Sequence, residues 1–348
     1  LFKGLSSRLD DELKSTVVKG VTQDSREVFK DYIFFALKGN ELDGNNYIDE
    51  AFNRGALIVL SDKDSNNRER VVYFPNLREL IGLIAARFYS EPSDKIQTFS
   101  VTGTNGKTSC VEMISQIGNL LGKQSGYLST IGVSINGKEL LKDSTLTTPS
   151  AVELQKILKN MVLSKTELVA IEASSHGLHQ SRLSGTKIDT AILTSFSHDH
   201  LDYHGDIIEY SKSKKKLFTE LNPKKSIVNI DNDLGKEIYL DIKENKTNQD
   251  IFSVSEKEEA DFIYSFSRNT DGSIKVNLVH KGLSETFSLN TISRALASTA
   301  VIAVASFIIN GFEIKTVYPT LKYLRFPRGR MEEVIISTPF HKLQSENV

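Results

Sequence analysis

The 348-residue sequence has little cysteine, almost no net charge and no long apolar run. Its single Cys110 cannot form an internal disulfide, which excludes a cross-linked secreted scaffold and suits a reducing interior. Lys and Arg number 43 and Asp and Glu 44, so the formal charge is −1. A balance this close to zero gives no general attraction to nucleic acid, and we expect no nucleic-acid partner.

Membrane insertion and export are not indicated either. The longest apolar stretch, residues 295–309, contains hydroxyl side chains and is shorter than the ~20 residues that cross a bilayer, so we predict a buried helix there. Residues 1–10 contain no apolar core of signal-peptide length. We therefore expect a cytoplasmic protein without membrane insertion, and we expect a monomer.

The N-terminal quarter has the pattern of a small α/β unit. Short apolar runs alternate with polar segments through residues 15–90, and the segment ends in a helical pattern from Leu77 to Tyr89. The polar residues 90–93 then include Pro92, which is typical of a linker. Because 348 residues exceed what one compact core usually supports, we expect a domain boundary at this linker.

The remainder predicts a mainly parallel sheet flanked by helices. A strand over residues 96–101 is followed by apolar residues at helical spacing from Cys110 to Leu121, and later apolar runs are separated by helix-length segments. Residues 261–289 alternate over shorter stretches, and Asn-Thr-Asp-Gly at 269–272 predicts a hairpin turn in a small antiparallel addition. The expected domains are residues 1–92, residues 93–334 and a short remnant, residues 335–348.

A glycine-rich segment lies between the strand at 96–101 and the helix that follows it. Free N–H groups and the helix dipole favour phosphate at such a junction, and Gly103 and Gly106 permit close backbone approach. Lys107 supplies a charge for the β and γ phosphates, and the Thr108 hydroxyl can reach Mg²⁺. The predicted loop consists of Gly103, Thr104, Asn105, Gly106, Lys107 and Thr108 and extends to Ser109.

The loop departs from the usual phosphate-binding pattern, because Val101 stands where that pattern has its first glycine. A plain glycine-rich turn with an exposed lysine is the alternative interpretation. The strand before the loop and the amphipathic helix after it favour phosphate binding.

Five of the seven histidines fall between His176 and His204. Both segments that carry them follow apolar strands, so Glu172 and His200 are expected to converge beside the phosphate loop at the carboxyl edge of the sheet. A carboxylate suits Mg²⁺, whereas histidine more often indicates zinc or another transition metal. We prefer Mg²⁺ because nucleotide phosphates need it, and we assign structural roles to His179 and His198.

A lysine-rich segment occupies residues 212–216. Most such clusters are solvated faces of helices, and spacing alone does not indicate another role for this one.

Taken together, these segments resemble the Mur ligase family, and within it the branch that adds a diamino acid to UDP-N-acetylmuramoyl-dipeptide. The matching segments are Gly20 to Arg26, Gly103 to Thr108, Thr147 to Pro149, Glu172 to Leu178 with Gln180 and Arg182, Asp199 to Gly205, and Gly329 to Glu332. They cover residues ~18–333 in the order of the family.

The resemblance implies roles for the substrate-binding residues. Ser25 and Arg26 would hold the uridine nucleotide. The sugar and peptide would be held by Thr147, Thr148, Ser174, Gln180 and Arg182. A guanidinium suits such an anionic substrate because its planar fork binds phosphate or carboxylate in bidentate fashion.

The resemblance also implies a modified lysine. Ser213-Lys214-x-x-Leu217-Phe218 matches a family segment whose lysine is carbamylated by CO₂ and helps to ligate Mg²⁺. Lys214 would thus join Thr108, Glu172 and His200 as a metal ligand, and Lys107, Lys214, Glu172 and His200 form the implied catalytic set. Carbamylation turns a cation into an anionic oxygen ligand, which an ammonium cannot be.

Two further residues are implied to lie near ATP. Arg330 matches a family arginine, and Asn290 matches the first of two asparagines near the adenine. Ser293 stands where the family has the second asparagine, so the sequence departs from the family there.

The implied fold is a small α/β domain followed by a P-loop ATPase-like domain. The implied activity is an ATP-dependent amide ligation, in which the carboxylate of UDP-MurNAc-L-Ala-D-Glu forms an acyl phosphate that the amine of a diamino acid displaces, leaving ADP and phosphate. Family members continue into a C-terminal domain that selects the diamino acid, and we expect the chain to be truncated before it. The identity of the diamino acid therefore stays open.

Three alternatives are kept. One is another ligase of the superfamily, such as a folylpolyglutamate synthase or a Mur ligase acting at a different step. Another is a P-loop kinase or phosphatase-like enzyme in which His198, Asp199 and His200 bind zinc. The third is a chain that binds nucleotides without catalysis.

Overall fold

The structure is a computed structural model that describes most of the chain. The described ranges are residues 1–3, 16–39, 42–64, 68–141, 146–245 and 248–326. Short apolar segments form an N-terminal sheet within residues 16–73. Its strands are β1 (Gly20–Thr22), β2 (Tyr32–Ala36), β3 (Ala56–Ser61) and β4 (Val71–Tyr73). They lie side by side in chain order, and every neighbouring pair is parallel.

Helices cover both sheets, and most of the longer ones bury an apolar stripe. In the described residues they are α1 (Ile48–Asn53), α2 (Leu77–Phe88), α3 (Lys107–Leu120), α4 (Ala151–Leu163), α5 (Ser175–His179), α6 (Leu201–His204), α7 (Ile207–Thr219), α8 (Asp233–Glu244), α9 (Arg294–Ile309) and α10 (Ile314–Val317). The helix predicted after Leu77 is α2, and the one predicted after the phosphate loop is α3, which begins at Lys107.

A second sheet of eleven strands forms the centre of the molecule. Its strands are β5 (Gln97–Thr102), β6 (Ser125–Ser129), β7 (Gly132–Ile135), β8 (Lys138–Leu141), β9 (Leu168–Glu172), β10 (Thr190–Leu193), β11 (Lys225–Asn229), β12 (Asp250–Ser255), β13 (Phe262–Arg268), β14 (Ile274–His280) and β15 (Leu283–Leu289). Their spatial order is β15-β14-β13-β12-β11-β10-β5-β9-β6-β7-β8.

The middle of this sheet is parallel, from β13 through β12, β11, β10, β5 and β9 to β6. Helical crossovers connect parallel strands, so the carboxyl ends of β5, β9, β10 and β11 reach one edge. The α/β fold with a mainly parallel second sheet, expected from the sequence, is confirmed. The predicted buried helix also forms: α9 lies in the apolar core that α3 shares with the sheet.

Both sides of the central sheet end in antiparallel strands. On one side β13, β14 and β15 pair in antiparallel fashion, and the predicted turn closes with the N–H of Gly272 donating to the carbonyl of Asn269 at 3.0 Å. On the other side β6, β7 and β8 form a second antiparallel set that the sequence did not predict. β8 runs in the same direction as β6, toward the carboxyl edge of the sheet, before α4 begins.

The two sheets meet through closely packed helices and a glycine contact. Ala151 and Val152 of α4 belong to the same apolar cluster as the buried face of α2. A Cβ on Gly82 would lie 2.0 Å from the carbonyl oxygen of Ser184, and one on Gly185 would lie 2.4 Å from the Gly82 carbonyl carbon. Because no side chain fits between these backbones, α2 rests directly on the loop after α5.

In the part of the chain that the structure describes, no helix combines the length and the apolar character that crossing a bilayer requires. The apolar helix α9 has 16 residues and is packed inside the protein.

Candidate active site

A cavity of about 910 Å³ opens at the carboxyl edge of the central sheet. Strand ends and the helix N-termini that follow them supply its walls, as expected for a parallel sheet. The cavity brings together most of the residues that the sequence predicted for a functional site. These are Thr104, Asn105, Gly106, Lys107, Thr108, Ser109, Thr147, Glu172, Ser174, Arg182, His200 and Lys214.

The phosphate loop connects β5 to α3 through two glycines with left-handed backbone angles. Gly103 has φ +150° and Gly106 has φ +85°, conformations that side chains disfavour. Gly106 is the N-cap of α3, and Lys107, Thr108 and Ser109 of the first helical turn line the cavity. A helix N-terminus that follows such a loop suits an anion, and phosphate binding here stays a prediction.

Residues that follow β10 hold this loop in shape. The N–H of Thr104 donates to the carbonyl of Ser195 at 2.8 Å, and the N–H of Asn105 donates to the Ser195 hydroxyl at 3.0 Å. The Thr194 hydroxyl donates to the Asn105 carbonyl at 2.6 Å. Thr194 and Ser195, which directly follow β10, thus hold the loop through three hydrogen bonds.

Two lysine amines lie at the loop. The Lys107 Nζ donates to the carbonyls of Gly103 and Thr104 at 3.0 and 2.9 Å, and the Lys214 Nζ donates to the Gly103 carbonyl at 2.8 Å. Lys214 extends from α7, and its amine also lies 4.4 Å from the ring centre of Tyr210. The Tyr210 hydroxyl is 3.1 Å from the Thr104 hydroxyl, so one helix contacts the loop twice.

Lys214 is 1% exposed, which contradicts the interpretation of the lysine segment as a solvated helix face. Burial, reinforced by the nearby charge of Lys107, holds the pKa of the Lys214 amine well below its ordinary value. Lys215 and Lys216 lie nearer the surface, where they pair with acidic side chains. Of the consecutive residues Lys214, Lys215 and Lys216, only Lys214 is buried.

Glu172 ends β9 and lies beside the loop. Its Oε2 accepts from the Thr108 hydroxyl at 3.0 Å and from the N–H of Thr130 at 3.1 Å. Mg²⁺ prefers hard oxygen ligands and usually keeps several waters, so one carboxylate and a hydroxyl next to a phosphate site suit it. These residues therefore fit a magnesium ion at the predicted location.

His200 lines the cavity as the N-cap of α6, where its φ is +51°. It belongs to a cluster of rings with His176, His179, Tyr203 and His204. The His200 side chain is 44% exposed, and its Nε2 lies 3.5 Å from Asp199. The ring is therefore available to the cavity, whereas His198 is exposed and outside the lining.

A different member of this cluster, His204, is half-buried and packs against the rings of His176, His179 and Tyr203. Burial, helped by the neighbouring His176 and His179, lowers the pKa of its imidazole to about 4. Since an unfolded histidine has a pKa near ~6.5, the unfolded chain takes up this proton first as the pH falls. The contribution of His204 to the free energy of unfolding is therefore lost as the pH falls from about 6.5 to about 4.

We expect His204→Phe to reduce this pH dependence. Thermal unfolding of both proteins, measured across that pH range, should show a smaller loss of midpoint temperature in the variant than in the unaltered protein. Equal losses would mean that His204 does not titrate as its surroundings indicate.

Four of the substrate candidates, Thr148, Ser174, Gln180 and Arg182, are linked by hydrogen bonds beside the cavity. Thr148 is fully buried, and its hydroxyl donates to the Glu172 carbonyl at 2.7 Å and lies 3.1 Å from the Ser174 hydroxyl. Arg182 lines both this cavity and a smaller one of about 130 Å³ that also borders Gln180. Burial lowers the pKa of the Arg182 guanidinium.

Other predicted residues are not brought into the cavity. Ser25 and Arg26 lie in the N-terminal sheet region, where Ser25 donates to the Glu50 carboxylate at 3.1 Å and Arg26 pairs with Asp24 at 2.6 Å. Asn290 is exposed after β15 and lines none of the cavities described. Arg330 lies outside the described residues.

Ser293, which replaces the second family asparagine, is the N-cap of α9. Its hydroxyl accepts from the N–H of Leu296 at 3.3 Å. Serine and asparagine are both favoured N-caps, so serine in place of the family asparagine still caps the start of α9.

Sequence reasoning missed several polar residues of the cavity. Each follows or ends a strand or lies on α9, and they are Thr130, Thr194, Ser195, Asn229, Ser298 and Thr299. The rule that functional side chains follow the carboxyl ends of parallel strands would have found Asn229 at the end of β11. Nothing in the sequence indicated that α9 lines the same cavity.

A zinc centre was kept as an alternative around His198 and His200. Within the described ranges, no group of three or more His, Cys, Asp or Glu side chains is arranged to hold a metal ion. Cys110 is also buried, and burial raises the pKa of its thiol.

Comparison with known families gives two matches. Residues 101–307 match the Mur ligase middle domain, and residues 17–89 match the catalytic domain of the Mur ligase family. Together they include the phosphate loop, Glu172, His200 and Lys214 as well as the N-terminal sheet.

Curated relatives match over most of the chain. A UDP-N-acetylmuramoyl-L-alanyl-D-glutamate–2,6-diaminopimelate ligase of Aquifex aeolicus (strain VF5) is 35% identical over 317 residues, which is 91% of this chain and 64% of the relative. The enzyme of the same name from Rickettsia prowazekii (strain Madrid E) is 31% identical, covering 94% of this chain and 68% of its own. The chain thus spans about two thirds of their lengths.

Solved structures share the fold. A UDP-N-acetylmuramoyl-L-alanyl-D-glutamate–2,6-diaminopimelate ligase superposes with a TM-score of 0.83 at 25% identity, covering 90% of this chain and 64% of that one. A MurF ligase from Thermotoga maritima in complex with ADP has a TM-score of 0.60 at 15% identity, covering 92% and 69%. The second likeness concerns the fold alone.

Proposed function

The chain belongs to the Mur ligase family, and on that premise we propose that it serves an ATP-dependent amide ligation in peptidoglycan precursor synthesis. The proposed reaction joins a diamino acid to UDP-MurNAc-L-Ala-D-Glu. One observation carries the proposal: a single cavity is lined both by the phosphate loop with Glu172 and Lys214 and by the substrate candidates Thr147, Ser174 and Arg182. Such a cavity suits a phosphoryl donor and an anionic acceptor side by side.

The proposed assignment divides the substrates between the two parts of the chain. Residues 1–92 would take the uridine end of the nucleotide sugar through Ser25 and Arg26. Residues 93–334 would take ATP at the phosphate loop, with Asn290 and Arg330 toward the adenine. Thr147, Thr148, Ser174, Gln180 and Arg182 would hold the sugar and peptide, and the buried guanidinium favours a carboxylate or phosphate there.

Thr108, Glu172, His200 and a carbamylated Lys214 would hold magnesium, which neutralises phosphate charge when it is bound. The buried Lys214 supports this modification. An amine must be uncharged to attack CO₂, and the depressed pKa of Lys214 favours the uncharged form. Attack forms a carbon–nitrogen bond, and loss of one amine proton leaves an anionic carbamate with two oxygens.

In the proposed reaction the terminal carboxylate of the dipeptide attacks the γ phosphorus of ATP and ADP leaves. The amine of the diamino acid then attacks the acyl phosphate, phosphate leaves, and an amide remains. No protein nucleophile is needed. The chain contributes orientation of the reactants and positive charge from Lys107 and the N-terminus of α3 at the transferred phosphoryl group.

The test is ADP release by the full-length protein, supplied with ATP, Mg²⁺, UDP-MurNAc-L-Ala-D-Glu and each of a panel of diamino acids. We expect release only when the nucleotide sugar and one diamino acid are both present, with the tripeptide product detected by mass. No release with any diamino acid contradicts the proposed reaction.

Binding experiments separate the proposal from a folylpolyglutamate synthase. The 348-residue chain should bind labelled UDP-MurNAc-dipeptide and not a folate. Binding of the nucleotide sugar and ATP by this chain without turnover would assign it the binding half of the reaction.

A further inference from the structure

Arg182 is held by neighbours on two sides. Its Nε and Nη2 donate to the Gln180 Oε1 at 3.1 and 2.7 Å, and its Nη1 donates to the Thr148 carbonyl at 2.7 Å. These contacts use three of the five donor protons of the guanidinium, so two are left to receive a ligand. Because Gln180 takes two of the contacts, the direction of the guanidinium depends on the orientation of the Gln180 amide.

The Gln180 amide is oriented in turn by a residue of α6. Its Nε2 donates to the Tyr203 hydroxyl at 2.9 Å. The same hydroxyl lies 3.0 Å from the His179 Nδ1, to which it can donate its own proton. If the amide were reversed, its NH₂ group would face the Arg182 donors and its oxygen would face the tyrosine. With the amide in its present orientation, each hydrogen bond in the series from His179 to Thr148 therefore joins a donor to an acceptor.

The ring of Tyr203 is fixed separately from its hydroxyl. Its centre lies 3.9 Å from that of His176, which lines the large cavity and makes an edge contact with His200 at 5.1 Å. Removal of the hydroxyl alone would therefore leave the ring packed in place. Tyr203→Phe therefore removes the hydrogen bonds of the hydroxyl and keeps the packing of the ring.

We propose that Tyr203 is a positioning residue for the anionic substrate, because its hydroxyl fixes the Gln180 amide so that the amide oxygen holds the Arg182 guanidinium toward the cavity. The ligand of Arg182 is an anionic oxygen group of the nucleotide sugar. Tyr203 itself does not line either cavity that Arg182 borders. The inference rests on the proposed function for the identity of the substrate.

The test compares Tyr203→Phe with a control, Tyr239→Phe. Tyr239 lies on α8, outside both cavities, and packs against the core. Calorimetric titration of the 348-residue chain measures the dissociation constants of UDP-MurNAc-L-Ala-D-Glu and of ADP. For Tyr203→Phe we expect about five-fold weaker binding of the nucleotide sugar, as for loss of one hydrogen bond, and unchanged binding of ADP. The control should change neither constant.

A double variant distinguishes positioning from a general structural effect. In a Gln180→Ala background the hydroxyl has no amide to orient, so Tyr203→Phe should cause no further loss. The same titration with UDP-N-acetylglucosamine, which has the diphosphate but neither a lactyl carboxylate nor a peptide, tells whether Arg182 meets the diphosphate or a peptide carboxylate. A loss with both sugars indicates the diphosphate, and a loss confined to the dipeptide ligand indicates a carboxylate.

Three results would overturn the inference. They are unchanged binding of the nucleotide sugar by Tyr203→Phe, an equal loss of ADP binding, and an undiminished effect in the Gln180→Ala background. If the unaltered chain does not bind the nucleotide sugar, the proposed function itself is wrong and the inference falls with it.

Discussion

Lys214→Met is expected to lower the rate of ligation by about a thousand-fold, since a metal ion contributes several kcal/mol to catalysis and each ~1.4 kcal/mol is a factor of ten. Methionine keeps an unbranched chain inside α7 but has no amine to accept CO₂. The side chain would therefore supply no anionic oxygen to the proposed magnesium site. ADP release and ¹³C NMR after exposure to ¹³C-labelled bicarbonate measure the two effects.

The folded state should not suffer from this change. Lys214 is buried, and burial disfavours its charged form, so an apolar chain of similar length is easier to accommodate. We expect the unfolding temperature of Lys214→Met to equal or exceed that of the unaltered protein. Loss of activity without loss of stability is the signature of a functional lysine.

Lys212→Met is the matched control on the same helix. The Lys212 side chain is 62% exposed and pairs with Glu209. It should keep both full activity and the carbamate signal. A Lys214→Met protein as active as this control, or a carbamate signal that persists without Lys214, would remove Lys214 from the proposed site.

Gly103→Ala is expected to weaken ATP binding by at least about a hundred-fold and to lower the unfolding temperature. The new Cβ would lie 2.1 Å from the Thr194 hydroxyl, and the backbone has φ +150°. The loop must move or Thr194 must release the Asn105 carbonyl, and either change displaces the N–H groups that face the phosphates. Loss of two hydrogen bonds to a charged phosphate, at about 1.5–3 kcal/mol each, corresponds to at least about a hundred-fold in affinity.

Gly137→Ala controls for backbone conformation alone. Gly137 also has a positive φ, +79°, but a Cβ there would have nothing within 4 Å. It should cost some stability and leave ATP affinity unchanged, as measured by calorimetric titration and thermal unfolding. If Gly103→Ala binds ATP as well as this control does, the close contact with Thr194 does not shape the phosphate loop.

The sequence was most informative where a local pattern determines local structure. The strand, glycine loop and helix around Lys107 follow from apolar spacing and the positions of two glycines, and they form as predicted. Glu172 and His200 could be placed at one edge because parallel strands end there. Placing Glu172 and His200 required only the direction of the neighbouring strands.

Burial of Lys214 could not be predicted from its segment. Three consecutive lysines point in three directions on a helix, and which of them faces inward depends on how α7 packs against the loop. Only the resemblance to a family distinguished Lys214 from its neighbours, and in the structure its buried amine donates to the Gly103 carbonyl.

The hydrogen bonds around Arg182 were also beyond the sequence. They connect residues 148, 180 and 203, which lie on separate segments, and the orientation of each donor depends on the tertiary fold. His179 was assigned only a structural role. In the structure its Nδ1 lies within hydrogen-bonding distance of the Tyr203 hydroxyl.

The glycine contact between α2 and residues 184–185 has a thermodynamic consequence. Backbone meets backbone there, so the two sheets cannot approach one another further. A nucleotide sugar that reaches from Ser25 to Arg182 would meet both ends of its site in a preorganised arrangement and would lose little conformational entropy of the protein on binding. A closer approach of α2 to residues 184–185 is therefore not available as a way to enclose the reactants.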